Sequence, residues 1–268
     1  MIEILTYQFA QNAIFAGILA AIVCAIIGAF VVVNRMVSLS GALAHISFGG
    51  IGFGYFLGID PLLSAIPFSI GASIIIGYVQ EKLKTDPDTL IGIMWAMGMA
   101  IGVIFIHFSS GYAPDLMSYI FGNILTVSQN QIIIMSTLVF VIAIFTAVFF
   151  EKLKALSFDE QFMRASGMNV FAYRILLLVL VSLSIISMIK LVGIILVIAM
   201  LCIPAQIAKR FSNSLFSMIL TSSVISVVLV VGGLLTSFAF DLPSGATIVM
   251  LMGIAYLGNI LLPIKTRR

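Results

Sequence analysis

The sequence predicts an all-α integral membrane protein, a polytopic helical bundle of about nine hydrophobic segments. Three observations carry that prediction. Hydrophobic residues make up 62% of the 268-residue chain and charged residues 9%, with a mean hydropathy of +1.26. A typical soluble domain carries about 25% charged residues, and so few charges could not cover the surface of a soluble fold this long. The apolar runs are continuous for about 20 residues, the length that crosses a hydrocarbon core as a helix. They do not alternate, which excludes a strand barrel. Finally, Lys and Arg gather in alternate loops, as they do in membrane proteins with one defined orientation.

The elements follow in order. The first segment, 11–33, has no basic stretch before it and reads as a span, not a cleavable signal peptide. Arg35 separates it from the second, 38–58. The third, 61–80, is followed by Lys82 and Lys84 and then by the fourth, 89–108. The fifth, 130–150, is followed by Lys152, Lys154, Arg164 and Arg174. The sixth and seventh, 174–189 and 191–208, almost touch, so one of them is a candidate for a broken or re-entrant segment. Lys209 and Arg210 precede the eighth, 214–238, and the ninth, 244–263, runs into the tail with Lys265, Arg267 and Arg268. Nine spans put all these basic loops on one side. Of the 13 basic residues only Lys190 dissents. The expected arrangement has the N-terminus outside and the C-terminus cytoplasmic, whereas eight or ten spans would scatter the charges. Glu3, Asp60, Asp115 and Asp241 have no Lys or Arg beside them. They form a mildly negative outer rim that attracts cations, or they are acids indifferent to topology.

No domain boundary is visible, and 1–268 reads as one transmembrane domain without a convincing internal repeat. The longest polar stretch, 151–174, is too short for a catalytic domain. HExxH, GxSxG and a P-loop are absent, so the chain does not hydrolyse ATP by itself. Cys24 and Cys202 lie in apolar runs and form neither a disulfide framework nor a thiolate metal site. A net charge of +3 without a basic, aromatic-interleaved patch argues against nucleic acid.

Ionisable groups inside the membrane are costly and therefore point to function. His45 lies in the second segment, NRMVSLSGALAHISFGGIGFGYFLGIDP. At about 100° per residue, Gly41, Gly49 and Gly52 fall within about 40° of it. Its face is nearly bare of side chains, which is expected to leave room for an ion or water beside the imidazole. The alternative is a structural histidine bonded to a neighbouring helix. Gly50, Gly54 and Gly58 form a GxxxGxxxG row suited to close helix packing. His107 ends the fourth segment and, with Asp115, either helps ions at the outer mouth or sits at headgroup depth. Lys190 snorkels or lines a vestibule. In 157–169, SFDEQFMRASGMN, a short amphipathic helix is expected, with Phe158, Phe162 and Met163 among Asp159, Glu160 and Arg164, and Gly167 as its stop. Exposed aromatics there suit docking into a partner's groove, or the stretch is an interfacial loop helix.

Taken together, these residues resemble the permease subunits of the zinc, manganese and iron ABC importers, nearly end to end. The resemblance is carried by FVVVNRMVSLSGALAHISFGGIGFGYFLGIDP, DTLIGIMWAMGMAIG, MSYIFGNILTVS, SFDEQFMRASGMN, KLVGIILVIAMLCIPAQIAKR and LPSGATIVM, in that order. It implies a type II importer-like permease in a prokaryotic cell membrane. Such a permease dimerises around a central path and binds no permanent cofactor. A separate cytoplasmic ATPase would grip 157–169, and an extracytoplasmic metal-binding protein would deliver the ion. Many family members carry an Asp four residues before the pathway histidine, where this chain has Gly41. An imidazole without the carboxylate favours zinc over manganese. The alternatives kept beside this reading are an importer permease for iron–siderophore or cobalamin-type ligands and, further off, an ion-coupled transporter working alone. An intramembrane enzyme is disfavoured because no catalytic residues pair in facing helices.

Overall fold

The computed structural model describes residues 6–83, 86–109, 122 and 124–261, and among them there is no strand. The order is α1 (Gln8–Val33), α2 (Val37–Leu57), α3 (Pro61–Tyr78) prolonged by a π turn (Val79–Leu83), α4 (Pro87–Phe108), a 3-10 turn (Ile124–Thr126), α5 (Gln129–Val148), α6 (Phe150–Phe158), α7 (Glu160–Ala165), α8 (Val170–Lys209), α9 (Leu215–Phe240) and α10 (Ser244–Leu261). Nine stretches among the described residues are long and apolar enough to cross a membrane. They coincide with the nine expected from hydropathy.

The helix starts are set by short polar side chains that accept otherwise unpaired N–H groups. Asp60 accepts from Leu62 and Leu63 ahead of α3, and Asp86 accepts from Thr89 ahead of α4; each helix has Pro in its first turn. Ser128 and Gln131 form a reciprocal capping box on α5. Asp159, Asn169 and Ser214 cap α7, α8 and α9.

Beyond Asn12 the helix α1 is apolar on all sides, the pattern of a helix enclosed over most of its surface. Its residues from Ala10 to Val32 are largely buried, between α8 and α9. A second layer, α2 with α3 and α4, packs against α8. Lipid offers no hydrophobic gain for helix association, so close approach and interhelical hydrogen bonds hold such bundles. Both are present. A Cβ at Gly28 would collide with the Leu201 carbonyl. Ser47 on α2 and Ser69 on α3 share a buried hydrogen bond of 2.8 Å. Ser73 on α3 bonds Ser182 on α8 at 3.2 Å.

The nearly touching sixth and seventh segments form one helical run, α8, interrupted at Gly193 with φ 77 and ψ 162. The chain turns back there. Cys24 contacts Met188, and Gly28 abuts Leu201. Four residues of α1 advance about 6 Å, whereas thirteen residues of a straight α8 would advance about 20 Å. Only a reversal brings both contacts to one turn of α1. The two halves, Val170–Ile189 and Val192–Lys209, therefore run side by side as separate spans. Together they are not a single kinked rod. Gly122 lies against this bend, where a Cβ would strike Val192 and Gly193.

At the opposite end the basic loops meet. Asn34, after α1, donates to Ser157 on α6 at 2.8 Å, and Arg164 and Arg174 both reach Glu81 beyond α3. The loops that carry most of the positive charge thus share one end of the bundle.

Candidate functional site

His45 is half-buried at the middle of α2. Its Nδ1 lies 2.9 Å from the Gly41 carbonyl oxygen. A carbonyl only accepts, so the proton of the neutral ring sits on Nδ1. The lone pair is then on Nε2, which has no protein hydrogen bond among the described residues. This is the tether expected of a metal-ligating histidine: a backbone carbonyl fixes tautomer and ring orientation while the other nitrogen stays free. The ring also stacks on Trp95 of α4, with centroids 4.1 Å apart and planes at 30°.

The bare glycine face does not leave the room expected beside the imidazole. It is taken up by α4. Gly49 faces Gly98, Gly52 faces Gly102, and Gly98 in turn lies against the His45 carbonyl and Ile46. Two glycine faces bring the α2 and α4 backbones together, and Trp95 covers Gly41, where a Cβ would meet the indole at 3.0 Å. Trp95, Gly98 and Gly102 share one face of α4 by their spacing. That spacing was readable in the sequence, but its fit to the α2 glycines was not.

Of the packing row, Gly50 abuts Ala65 and Phe68, and Gly54 abuts Pro61 and Ser64. Gly58 does something else. It has no neighbour among the described residues within 4 Å of a Cβ position, and its φ of 69 ends α2 in the left-handed conformation.

His107 is exposed at the end of α4, edge-on to Phe108 at 5.6 Å. Twelve residues separate it from Trp95, about 18 Å along the helix, so it does not share a site with His45. Asp115 lies outside the described residues, as do Glu3 and the basic tail. No group of three His, Cys, Asp or Glu able to hold a metal occurs among the described residues.

The expected single amphipathic helix over 157–169 is an elbow. The helix α6 ends at Phe158, Asp159 breaks it with φ −148 and ψ 71, and α7 starts at Glu160. The break follows from Asp159 itself, whose carboxylate accepts the Phe162 N–H at 2.9 Å and so caps a new helix. Met163 is fully buried, whereas Phe158 and Phe162 are 64% and 58% exposed. Gly167, with φ 71, terminates α7 as expected.

Glu160 and Arg164 are turned back toward the bundle. Arg164 spans Glu160 at 2.8 Å and Glu81 at 2.9 Å. Arg174, at the start of α8, spans Glu160 at 2.6 Å and Glu81 at 3.1 Å. Burial pushes the Glu160 carboxyl up, yet the Arg164 hydrogen bond and the Arg174 and Arg164 charges together hold it below the usual carboxylate range. Glu160 and Arg174 also line a cavity of about 440 Å³ with Arg35, Gln80 and Asp88. Sequence reasoning singled out neither Glu81 nor Arg174 for this role. They lie 93 residues apart, and no local pattern pairs them.

A sequence model of the ABC 3 transport family matches residues 6–262. An uncharacterized membrane protein of Synechocystis is 40% identical over 96% of this chain and 92% of its own length. A manganese transport system membrane protein of Listeria monocytogenes is 32% identical over 94% of this chain and 90% of its own. The solved structure of PsaBC from Streptococcus pneumoniae in complex with Fab is similar with a TM-score of 0.89 and 34% identity, covering 99% of this chain and 96% of that one.

Proposed function

This chain belongs to the ABC 3 transport family and is a multi-pass protein of the prokaryotic cell membrane, and from that premise we propose that it is the membrane-spanning subunit of an ATP-driven importer for a divalent transition metal. The observation that carries the reading is His45, an imidazole inside a membrane span, tethered through Nδ1 with Nε2 free to take a metal ion. A lone nitrogen donor is a weak site, which suits a conduit where release must stay easy.

In this reading two copies of the chain face each other around the path, each contributing His45. The basic end is cytoplasmic, in keeping with the alternate placement of Lys and Arg. A separate ATPase subunit grips the elbow of α6 and α7 through Phe158 and Phe162, side chains that are apolar, aromatic and exposed. An extracytoplasmic binding protein docks at the opposite end, near His107 at the end of α4. ATP binding and hydrolysis in the partner shift α7, and rigid-body movement of the helices behind it switches the path between outward and inward access.

Manganese is the proposed cargo, because the Listeria relative is named for its transport. Zinc is the second reading, favoured by one specific feature. Position 41 is glycine beneath Trp95, so the imidazole has no carboxylate one turn before it, and imidazole suits zinc where carboxylate oxygens suit manganese.

The test is uptake into proteoliposomes that contain the chain, its ATPase and its binding protein, with manganese, zinc and iron in competition. ATP-dependent uptake led by manganese is expected. His45→Ala should lower it at least about tenfold, roughly 1.4 kcal/mol of lost stabilisation, while the ATPase still copurifies. Unchanged uptake and metal preference in His45→Ala would remove the histidine from the path. Uptake led by zinc would replace the cargo. Uptake without the ATPase would overturn the importer reading.

A further inference from the structure

The four charges behind the elbow form a closed ring, Glu81–Arg164–Glu160–Arg174. Glu81 accepts from Arg164 at Oε1 and from Arg174 at Oε2. Glu160 accepts from Arg164 at Oε1 and from Arg174 at Oε2. Every carboxylate oxygen is therefore used by an arginine, and each arginine bridges both carboxylates. The ring joins three elements: the π turn that prolongs α3, the short helix α7, and the start of α8. The link from α7 to α8 is also covalent, through residues 166–169. The link from α7 to α3 is not, because Arg164 and Glu81 are 83 residues apart. Single exposed ion pairs contribute little to stability and are loosely held. A closed ring of planar guanidinium groups against carboxylates has directional bonds and fixes orientation. Here it is partly withdrawn from water, with the Glu81 and Arg174 side chains 17% and 25% exposed. Glu81 stands in a π turn, a local irregularity that re-aims side chains and recurs at functional sites.

The same helices are tied again deeper in the bundle. Ser73 on α3 donates to the Leu178 carbonyl at 3.3 Å and bonds Ser182 on α8. Ser69, one turn away, bonds Ser47 on α2, two residues from His45. Polar ties therefore run from α7 through α3 and α8 to the helix that carries His45.

We propose that Glu81 and Arg174 are positioning residues for energy coupling: with Glu160 and Arg164 they clasp α7 to α3 and α8, so that a displacement of α7 moves those helices as one body. This rests on the reading of the α6–α7 elbow as the docking point of the ATPase. Without the clasp, α7 is held by the backbone at Asp159 and Gly167, both non-helical hinges, and by the buried Met163. It would swing on those hinges, and the motion would be absorbed there.

The experiment uses the reconstituted complex with its ATPase and binding protein, with Mn²⁺ as the transported probe. The reading is the number of ATP molecules hydrolysed per ion taken up, with copurification of the ATPase as the measure of assembly. Glu81→Gln and Arg174→Gln should each raise that ratio at least about fivefold, the lower end of ordinary coupling between sites, with assembly unchanged. The double variant should lose less than the two single effects combined, because both act through one ring. If the neutral variants are poorly produced, Glu81→Asp and Arg174→Lys keep the charges but lose the reach or the fork, and should raise the ratio about twofold. A ratio indistinguishable from wild type in assembled variants would overturn the clasp, and so would additive losses in the double variant. A wild-type complex that shows no ATP-dependent uptake would instead overturn the importer reading on which the clasp rests.

Discussion

Replacing Gly193 by alanine tests the fold at its least regular point. With φ 77 and ψ 162, the residue occupies a region open essentially only to glycine, and an L side chain there costs about 1–3 kcal/mol. Gly71 is the matched control. It lies within α3, with no atom of the described residues inside 4 Å of a Cβ position. Alanine in a helix interior gains about 0.5–1 kcal/mol over glycine. The same chemical change should therefore act with opposite sign at the two sites, with the variants separated by about 1.5–4 kcal/mol. The assay follows from the cysteines. Cys24 is fully buried and Cys202 half-buried, and both are free, so heating in the presence of a thiol-reactive fluorophore reports the loss of packing around them. Gly193→Ala should melt below wild type and Gly71→Ala at or above it. If α8 ran straight, position 193 would be ordinary helix and its alanine would stabilise. A Gly193→Ala protein that melts at or above wild type would therefore refute the reversal and the pairing of the two half-helices along α1.

Two further outcomes are expected. The chain has a single tryptophan, and it stacks on His45, so a paramagnetic ion at Nε2 should quench it: Mn²⁺ added to the purified permease should lower Trp95 fluorescence, and His45→Ala should abolish the response. An emission that ignores Mn²⁺, or responds equally in His45→Ala, would separate the histidine from the metal. On the elbow, Phe158→Ala and Phe162→Ala should leave the permease's stability within about 0.5 kcal/mol yet weaken copurification of the ATPase, whereas Met163→Ala should cost about 2–5 kcal/mol. The opposite pattern in melting and pull-down measurements would mean that the phenylalanines anchor the elbow and do not present it.

The His45 arrangement combines a local tether with a long-range cover. The Nδ1–Gly41 bond is local, spanning one helical turn. The Trp95 stack requires α4 to lie against α2 at backbone contact, which the paired glycines permit. The glycine face, read as open space, is therefore a helix interface. An absent side chain makes room, but only the neighbouring helix determines what fills it.

Composition and hydropathy by themselves determined the membrane solvent, the number of spans and nearly all their limits. The physical reason is that a backbone in lipid must satisfy its hydrogen bonds within the segment, which makes each span a local property of about 20 residues. The caps at Asp60, Asp86 and Ser128 are local for the same reason, since each acts on N–H groups two or three residues ahead. The exposed Phe158 and Phe162 and the stop at Gly167 were legible from residue type and spacing. The tertiary structure alone decided the rest. The reversal at Gly193 is one residue's backbone conformation, and glycine permits it without requiring it. Packing against α1 selects it, through Cys24 with Met188 and Gly28 with Leu201. The clasp joins Glu81 to Arg164 and Arg174 across more than 80 residues. Ion pairs of that kind depend on where helices end in space, which no local periodicity encodes.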